Sequence, residues 1–440
     1  MKLALKSSDD YALSRIPLSE RRPMWEVFMI RFGGVVCLPL LMTGAVLGYG
    51  MTIKDAILAT ILGVVILEIV SFLVGVAGAN EGMSTSFLSR WSGFGQLGSS
   101  LIGLIISITA MGWFGIQNSV FANGLFSAFG GKISYQLLAF ISGIGITLIV
   151  VYGYRMLSYT ANIAVPAFVL ALLYATYKML GNFNMAEVFS STPAGPPISI
   201  GVAATMVAGG FMVGAVITPD LSRFNKSSKD VFWMTLLSLF LGEVLINFLG
   251  ATMAHAVKSS DVVTIMYDLG GWFAAFLVIF STIKINDLNL YAASLGVTNF
   301  LDAAFNIKVN RGAATLVIGL LGTILSVIGI LDKFTSFLIL LGVAIPPIGG
   351  IMVVDYFILK RFRKELNESR EDNKLPKVSE RLNPIALLAW LVGFLVGYFI
   401  HQGVPALNSL FSAAFVYWLV SKLVAVSKGV ETVRFIKEDA

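Results

Sequence analysis

Gly33-Gly34-Val35-Val36-Cys37-Leu38-Pro39-Leu40-Leu41-Met42-Thr43-Gly44 and Gly209-Gly210-Phe211-Met212-Val213-Gly214-Ala215-Val216-Ile217-Thr218-Pro219 are the two stretches on which the fold turns. Each lies in an apolar run of membrane-spanning length, and each is interrupted by glycines and a proline. A lipid-embedded helix tolerates such breaks only where the freed backbone groups find partners. The first stretch belongs to the first apolar run and the second to the sixth. Breaks five helices apart are expected when two five-helix repeats of opposite orientation pair across the membrane, and they place a binding site at mid-membrane. The competing reading is that the glycines only let helices approach closely. Recurrence in corresponding positions favours a transporter.

The rest of the chain agrees with a membrane fold. Of 440 residues, 57% are hydrophobic and 13% charged, with a mean hydropathy of +0.84; soluble domains carry about 25% charged residues. Apolar stretches recur at 25–50, 55–79, 96–122, 133–153, 158–180, 196–219, 231–257, 268–297, 312–332, 334–359, 384–401 and 407–425. Strand-like alternation is missing, so the expected class is an all-α polytopic protein of twelve transmembrane helices rather than a barrel. Of the 31 lysines and arginines, 24 fall in segments on the N-terminal side of the membrane and five on the other, while Arg31 and Lys284 lie within spans. That bias predicts both ends in the cytoplasm. The charged loop at 363–383 separates ten spans from a final pair. The expected organisation is a tail (1–24), a first repeat (25–182), an outer linker (183–198), a second repeat (199–362), that loop, an accessory pair (384–425) and a tail (426–440). Residues 1–24 hold no apolar signal segment, so the first span is expected to act as the insertion signal. Two histidines and one cysteine leave little for a metal centre, a disulfide framework or thiol chemistry. The scattered basic residues are no nucleic-acid footprint. Neither cofactor nor metal is expected.

Several residues are costly where they stand. Trp113 lies in the middle of span three, away from the interfacial belts that tryptophan favours. Phe211 follows Gly209-Gly210 directly. Two rings and freed backbone amides suit a flat polar heterocycle, held by stacking and oriented by hydrogen bonds; ordinary packing is the alternative. Glu68, Glu243, Lys284 and Asp287 interrupt apolar runs, at about 2.5–3.5 kcal/mol each on insertion scales if ionised. Asp287, at i+3 from Lys284, shares its helix face; Glu68 and Glu243 are further candidate charge partners. Arg31 is expected to snorkel to the headgroups.

From about residue 16 to 422 the chain resembles the nucleobase–cation symporter-1 family. The matching stretches are Pro17-Leu18-Ser19-Glu20-Arg21, Thr43-Gly44-Ala45-Val46-Leu47-Gly48, Gly112-Trp113-Phe114-Gly115 and Ala164-Val165-Pro166-Ala167. Further along they are Asp220-Leu221-Ser222-Arg223-Phe224, Asn286-Asp287-Leu288-Asn289-Leu290-Tyr291-Ala292 and Ala344-Ile345-Pro346-Pro347-Ile348-Gly349-Gly350, then Asp355-Tyr356. The resemblance implies a LeuT-type five-plus-five inverted repeat with two extra helices, and uptake of a nucleobase by alternating access. It implies a base lying between Trp113 and Phe211, with the Gly209 and Gly210 backbone and the Asn286 amide completing the site. Members that take cytosine carry a serine where this chain has Val213 and a glutamine where it has Ala110; Gln117 could supply a replacement amide, as in hydantoin-carrying members. Sodium-coupled members ligate the ion at positions that here are Gly33, Val36, Ser281, Lys284 and Ile285. An ammonium at Lys284 would satisfy the same carbonyls and exclude sodium.

The expected protein is therefore a monomeric permease of the bacterial cytoplasmic membrane, not an enzyme. It imports a nucleobase such as cytosine or a purine, sodium-independent and proton-coupled. The alternatives are a hydantoin, allantoin or pyrimidine vitamin-precursor carrier, or a passive facilitator of the same fold. Lys284 supports two mechanisms. A close carboxylate would keep it charged as a fixed stand-in for sodium, whereas desolvation would let it release and rebind a proton.

Overall fold

The computed structural model describes residues 14–152 and 154–435, without the side chains at 152–165, 277–281, 283, 284, 287 and 288. Helices occupy all twelve places where the sequence predicts a span, and among the described residues there are no β-strands. Span one consists of Met24–Val35 and Leu38–Gly50, bent by 55°. Spans two to five are Ile53–Glu81, Gly95–Ala128, Tyr135–Tyr152 and Tyr154–Asn182. Span six is Ile200–Val216 followed by the short turn Pro219–Ser222, and span seven runs Ser228–Val257. Spans eight and nine are Val262–Phe305 and Arg311–Val327; span ten runs Ile330–Leu359, and spans eleven and twelve are Pro384–Phe399 and Pro405–Ser427. Among the described residues, six of these helices qualify as membrane spans by length and apolarity alone, or seven with the bent pair. Spans four, nine and eleven are shorter, and span eight is kinked at Gly271 (φ 66°), a left-handed conformation that suits glycine.

The packing partners reveal the repeat. Spans one and seven pack together, as do two and six; moving each number by five exchanges these two pairs. Spans three and eight pack along their length, and so do four and nine, each pair mapping onto itself. The molecule thus has one group of spans one, two, six and seven and another of three, four, eight and nine. Glycines set the close approach in the first group. A Cβ on Gly44 would lie 2.2 Å from the Asn247 carbonyl oxygen, and one on Gly48 2.3 Å from that of Ala251. This is the small-residue spacing that lets membrane helices touch backbone to backbone.

Segments predicted to share one face of the membrane do meet. Arg15 reaches Glu81 (2.7 Å) after span two and the Lys374 carbonyl (2.7 Å) in the loop after span ten. Tyr356 donates to the other Glu81 oxygen at 2.6 Å. Beside them Arg361, 2% exposed, binds Asp355 (2.6 Å), Glu380 (2.7 Å) and the Val433 carbonyl (3.2 Å). Burial works against the Arg361 charge, but Asp355, Tyr417 and Glu380 together hold its pKa well above the ordinary arginine value. Tyr417 of span twelve donates to the same Asp355 oxygen at 2.7 Å. On the opposite face the 183–198 segment lies over the end of span one, with Gly195 N–H donating to Tyr49 (2.7 Å) and Ile198 N–H to Gly50 (3.2 Å).

Candidate functional site

The break in span one is where the sequence places it. Met24–Val35 ends with Val36 as its cap, and Leu38–Gly50 begins with Pro39 in its first turn. The helical run is interrupted after Val36, whose N–H donates to the Phe32 carbonyl at 2.9 Å, and a break of this kind frees backbone groups for a ligand or ion. Gly33 and Gly34 face open space: a Cβ on either would meet no atom within 4 Å. Val36 is buried in the main core.

Span six differs from expectation. Helix Ile200–Val216 runs unbroken through Gly209 and Gly210, and the interruption comes at residues 217–218, ahead of Pro219. The proline stops the helix, as its ring and missing N–H dictate, while the first glycine of the pair is used for packing. A Cβ on Gly209 would stand 1.9 Å from the Leu338 carbonyl oxygen of span ten, so here close helix packing is the operative reading. Gly210 faces a looser space, where a Cβ would lie 3.7 Å from Thr43 Oγ1, 3.8 Å from Leu40 Cδ2 and 4.0 Å from Glu243 Oε1. Phe211 turns its ring back over Gly214 and beneath the Arg31 guanidinium, 5.4 Å from the ring centre.

Spans three and eight bring the remaining residues to one depth. They are antiparallel and touch where Gly103 meets Gly296. Ten residues along span three is Trp113, and ten residues back along span eight is Asn286, so an equal rise puts both at the same level. Leu290 and Ala293 pack against Ala110 and Phe114, and Asn286 continues that face of span eight by one turn. Asn286 is wholly buried, and among the described residues neither its Oδ1 nor its Nδ2 has a partner. Gln117, one turn beyond Trp113, is 1% exposed with its carbonyl oxygen unpartnered. Buried polar atoms are normally hydrogen-bonded, so the Asn286 amide and the Gln117 oxygen, without partners among the described residues and near the level of a tryptophan, suit a ligand with both donor and acceptor edges. The Trp113 ring is steadied edge-to-face by Phe337 (5.2 Å) and Phe334 (6.2 Å) of span ten. Those two phenylalanines were not legible as site residues, because nothing in an apolar run marks which ring meets Trp113.

The expected charge partners divide. The side chains of Lys284, Asp287 and Ser281 lie outside the described residues. Glu68 accepts a hydrogen bond from Thr235 at 2.8 Å, and Glu243 is wholly buried. Arg31 does not snorkel. It is 3% exposed, and its guanidinium donates to Ser238 (3.0 Å), Thr218 (3.1 Å) and Ser71 (3.0 Å), because spans two, six and seven surround it with hydroxyls. Among the described residues no group of three or more His, Cys, Asp or Glu is placed to hold a metal ion.

Comparison with known proteins places this geometry. A family described as "Permease for cytosine/purines, uracil, thiamine, allantoin" matches residues 15–425. The chain belongs to this family, the nucleobase–cation symporter-1 group. Its relatives there include the cytosine permease of Escherichia coli K12, 26% identical over 95% of this chain and 96% of that protein. Another is a hydantoin permease of Microbacterium maritypicum, 23% identical over 78% of this chain and 74% of that protein. Among solved structures, the inward-facing conformation of Mhp1 superposes with a TM-score of 0.80 at 19% identity, covering 95% of this chain and 94% of that one. A closed form of Mhp1 with bromovinylhydantoin bound gives 0.73, also at 19% identity, over 94% and 96%. The fold is thus the LeuT-type inverted repeat, and the family's members are permeases, not enzymes.

Proposed function

We propose that this family member imports a nucleobase such as cytosine or a purine across the bacterial cytoplasmic membrane by alternating access. In this reading both chain ends are cytoplasmic, and uptake is sodium-independent and driven by protons. The observation that carries it is the wholly buried Asn286 amide, unpartnered at both ends among the described residues and level with Trp113. A base laid on the indole would offer that amide the donor and acceptor it lacks. Sodium independence is supported by the sequence: Lys284 and Ile285 stand where sodium-coupled relatives are expected to supply ligands. The unpartnered Gln117 oxygen favours a second reading, a hydantoin-type substrate with ring N–H groups.

The test is a thermal-shift screen of the purified protein against cytosine, adenine, hypoxanthine, allantoin and hydantoin, followed by uptake into vesicles. One of these should stabilise the protein, and Trp113→Ala should weaken its binding about tenfold, within the range for removing one stacking ring. Uptake should ignore sodium and rise with an inward proton gradient. Sodium-stimulated uptake would overturn the ion assignment, and undiminished binding by Trp113→Ala would move the site. Orientation is checked separately. An impermeant thiol reagent added to intact cells should label Ser190→Cys but leave Lys377→Cys untouched; the reverse pattern would invert the topology.

A further inference from the structure

Among the described residues, Arg31 of span one has two carboxyls in its field, Glu68 of span two and Glu243 of span seven, and the two are not equivalent. Arg31 spends its donors on neutral groups: the Ser238, Thr218 and Ser71 hydroxyls and, at 3.4 Å, the Gly214 carbonyl. Among the described residues it forms no ion pair within 4.0 Å. Glu68 and Glu243 are the two acids in its field. Glu68 has the Thr235 hydroxyl donating to one oxygen at 2.8 Å. Among the described residues Glu243 has no hydrogen-bond donor on either oxygen. One cation balances one carboxylate, and a second carboxylate with no donor, fully buried in an apolar bundle, is the costly member.

The backbone around Glu243 is also specialised. Residues Leu239–Val244 form a π-helical turn, and the Asn247 amide donates to the Glu243 carbonyl at 2.8 Å. Such turns insert one extra residue and are often found at functional sites. This one places the carboxyl beside the loose space around Gly210, Thr43 and Leu40, at the broken helix. Gly242, just before it, packs on Val35, the last residue before the break. Among the described residues the charged group that acts on Glu243 is Arg31 from span one, which also has Glu68 of span two in its field, while span six offers the uncharged Gly210. Span eight packs on the outer part of span seven, Leu245–Val257, and its side chains at 283, 284, 287 and 288 lie outside the described residues.

We propose that Glu243 is the proton-carrying group of this permease. This rests on the reading that uptake is proton-driven, and it gives Lys284 the fixed-charge role. Glu243 holds its proton as a neutral acid while Arg31 is committed to its hydroxyl cage. Arg31 rides on the half-helix Met24–Val35, so a swing of that half about the break changes the distance from the cation to Glu243. Approach of the guanidinium favours release of the proton to water on one side; retreat favours its recapture on the other. The cycle is a carboxylic acid becoming a carboxylate plus one proton and returning.

The first test needs no substrate. Full-length protein in liposomes is treated at neutral pH with a hydrophobic carbodiimide, which reacts with protonated buried carboxyls, and the labelled residue is identified by mass spectrometry. Infrared difference spectra are recorded in parallel across a pH titration. Label is expected at Glu243 and not at Glu68, and the protonated-carboxyl band is expected to vanish in Glu243→Gln but persist in Glu68→Gln. In the second test, cytosine uptake by Glu243→Gln should lose its dependence on the inward proton gradient, with Glu243→Asp restoring part of it. If Glu243 stays unlabelled and its band is absent, the assignment is overturned; so too if Glu243→Gln still responds fully to the gradient. If the wild-type protein moves none of cytosine, adenine and hypoxanthine, the substrate reading fails, and the label and the band still decide the proton site.

Discussion

Arg361→Met is expected to lower stability by about 3–5 kcal/mol, the usual cost of removing one member of a buried charge cluster. The guanidinium is 2% exposed and bridges Asp355 and Glu380, both wholly buried. Methionine fills much of the volume but leaves two carboxylates facing each other without a cation, and it removes the bond to the Val433 carbonyl that ties down the C-terminal segment. In detergent the variant should melt well below the parent and lose its monodisperse peak in size-exclusion chromatography. Arg361→Lys should recover only part, since an ammonium cannot reproduce the fork that meets Asp355 through two nitrogens. Removing the stranded charges as well, with Asp355→Asn and Glu380→Gln, should restore some of the loss. An unchanged melting temperature for Arg361→Met would show that this cluster is not a structural bond.

Gly209→Ala and Gly210→Ala should behave oppositely although they are neighbours. At Gly209 the new methyl would sit 1.9 Å from the Leu338 carbonyl oxygen and 2.8 Å from the Gly342 nitrogen, both backbone atoms of span ten. No side chain can move aside, so spans six and ten must separate. Overpacking of this kind costs about 1–3 kcal/mol and occasionally more; the loss here is expected at the upper end, with uptake falling in proportion to folded protein. At Gly210 the nearest atoms are 3.7–4.0 Å away, ordinary contact distances. That variant should fold normally, with any defect confined to transport. Equal melting temperatures for the two variants would contradict the packing described for span six.

The sequence made the break in span one legible because proline and glycine change backbone physics wherever they occur. The same signal misled in span six. Gly209-Gly210 reads as a break, but glycine also permits contact between helices, and only the partner, Leu338, distinguishes the two uses. Asn286 was found through the resemblance, while Trp113 stood out because it lies mid-span, where a tryptophan is unusual. Arg31 was misplaced, since a hydroxyl cage assembled from spans two, six and seven leaves no trace in the neighbours of Arg31 along the chain. Glu243 was marked as expensive from sequence alone. Its lack of donors, and the π-helical turn that presents it, are properties of packing.

The hydrogen bond from Tyr417 to Asp355 has a bearing on how the protein is made. The two residues are separated by 62 positions, and the cluster also takes in Glu380 and the carbonyl of Val433. Ribosomes add about 5–20 residues per second, so several seconds pass between the emergence of Asp355 and that of its last partners. During that interval the first ten spans can be inserted, but an acid at the end of span ten and the arginine beside it lack their full set of contacts. The accessory pair is therefore more than an appendage to a finished core. Translation must reach the final helix before the charged face can close, and a chain released before that point would leave the membrane with an exposed, charged seam that quality-control proteases can recognise.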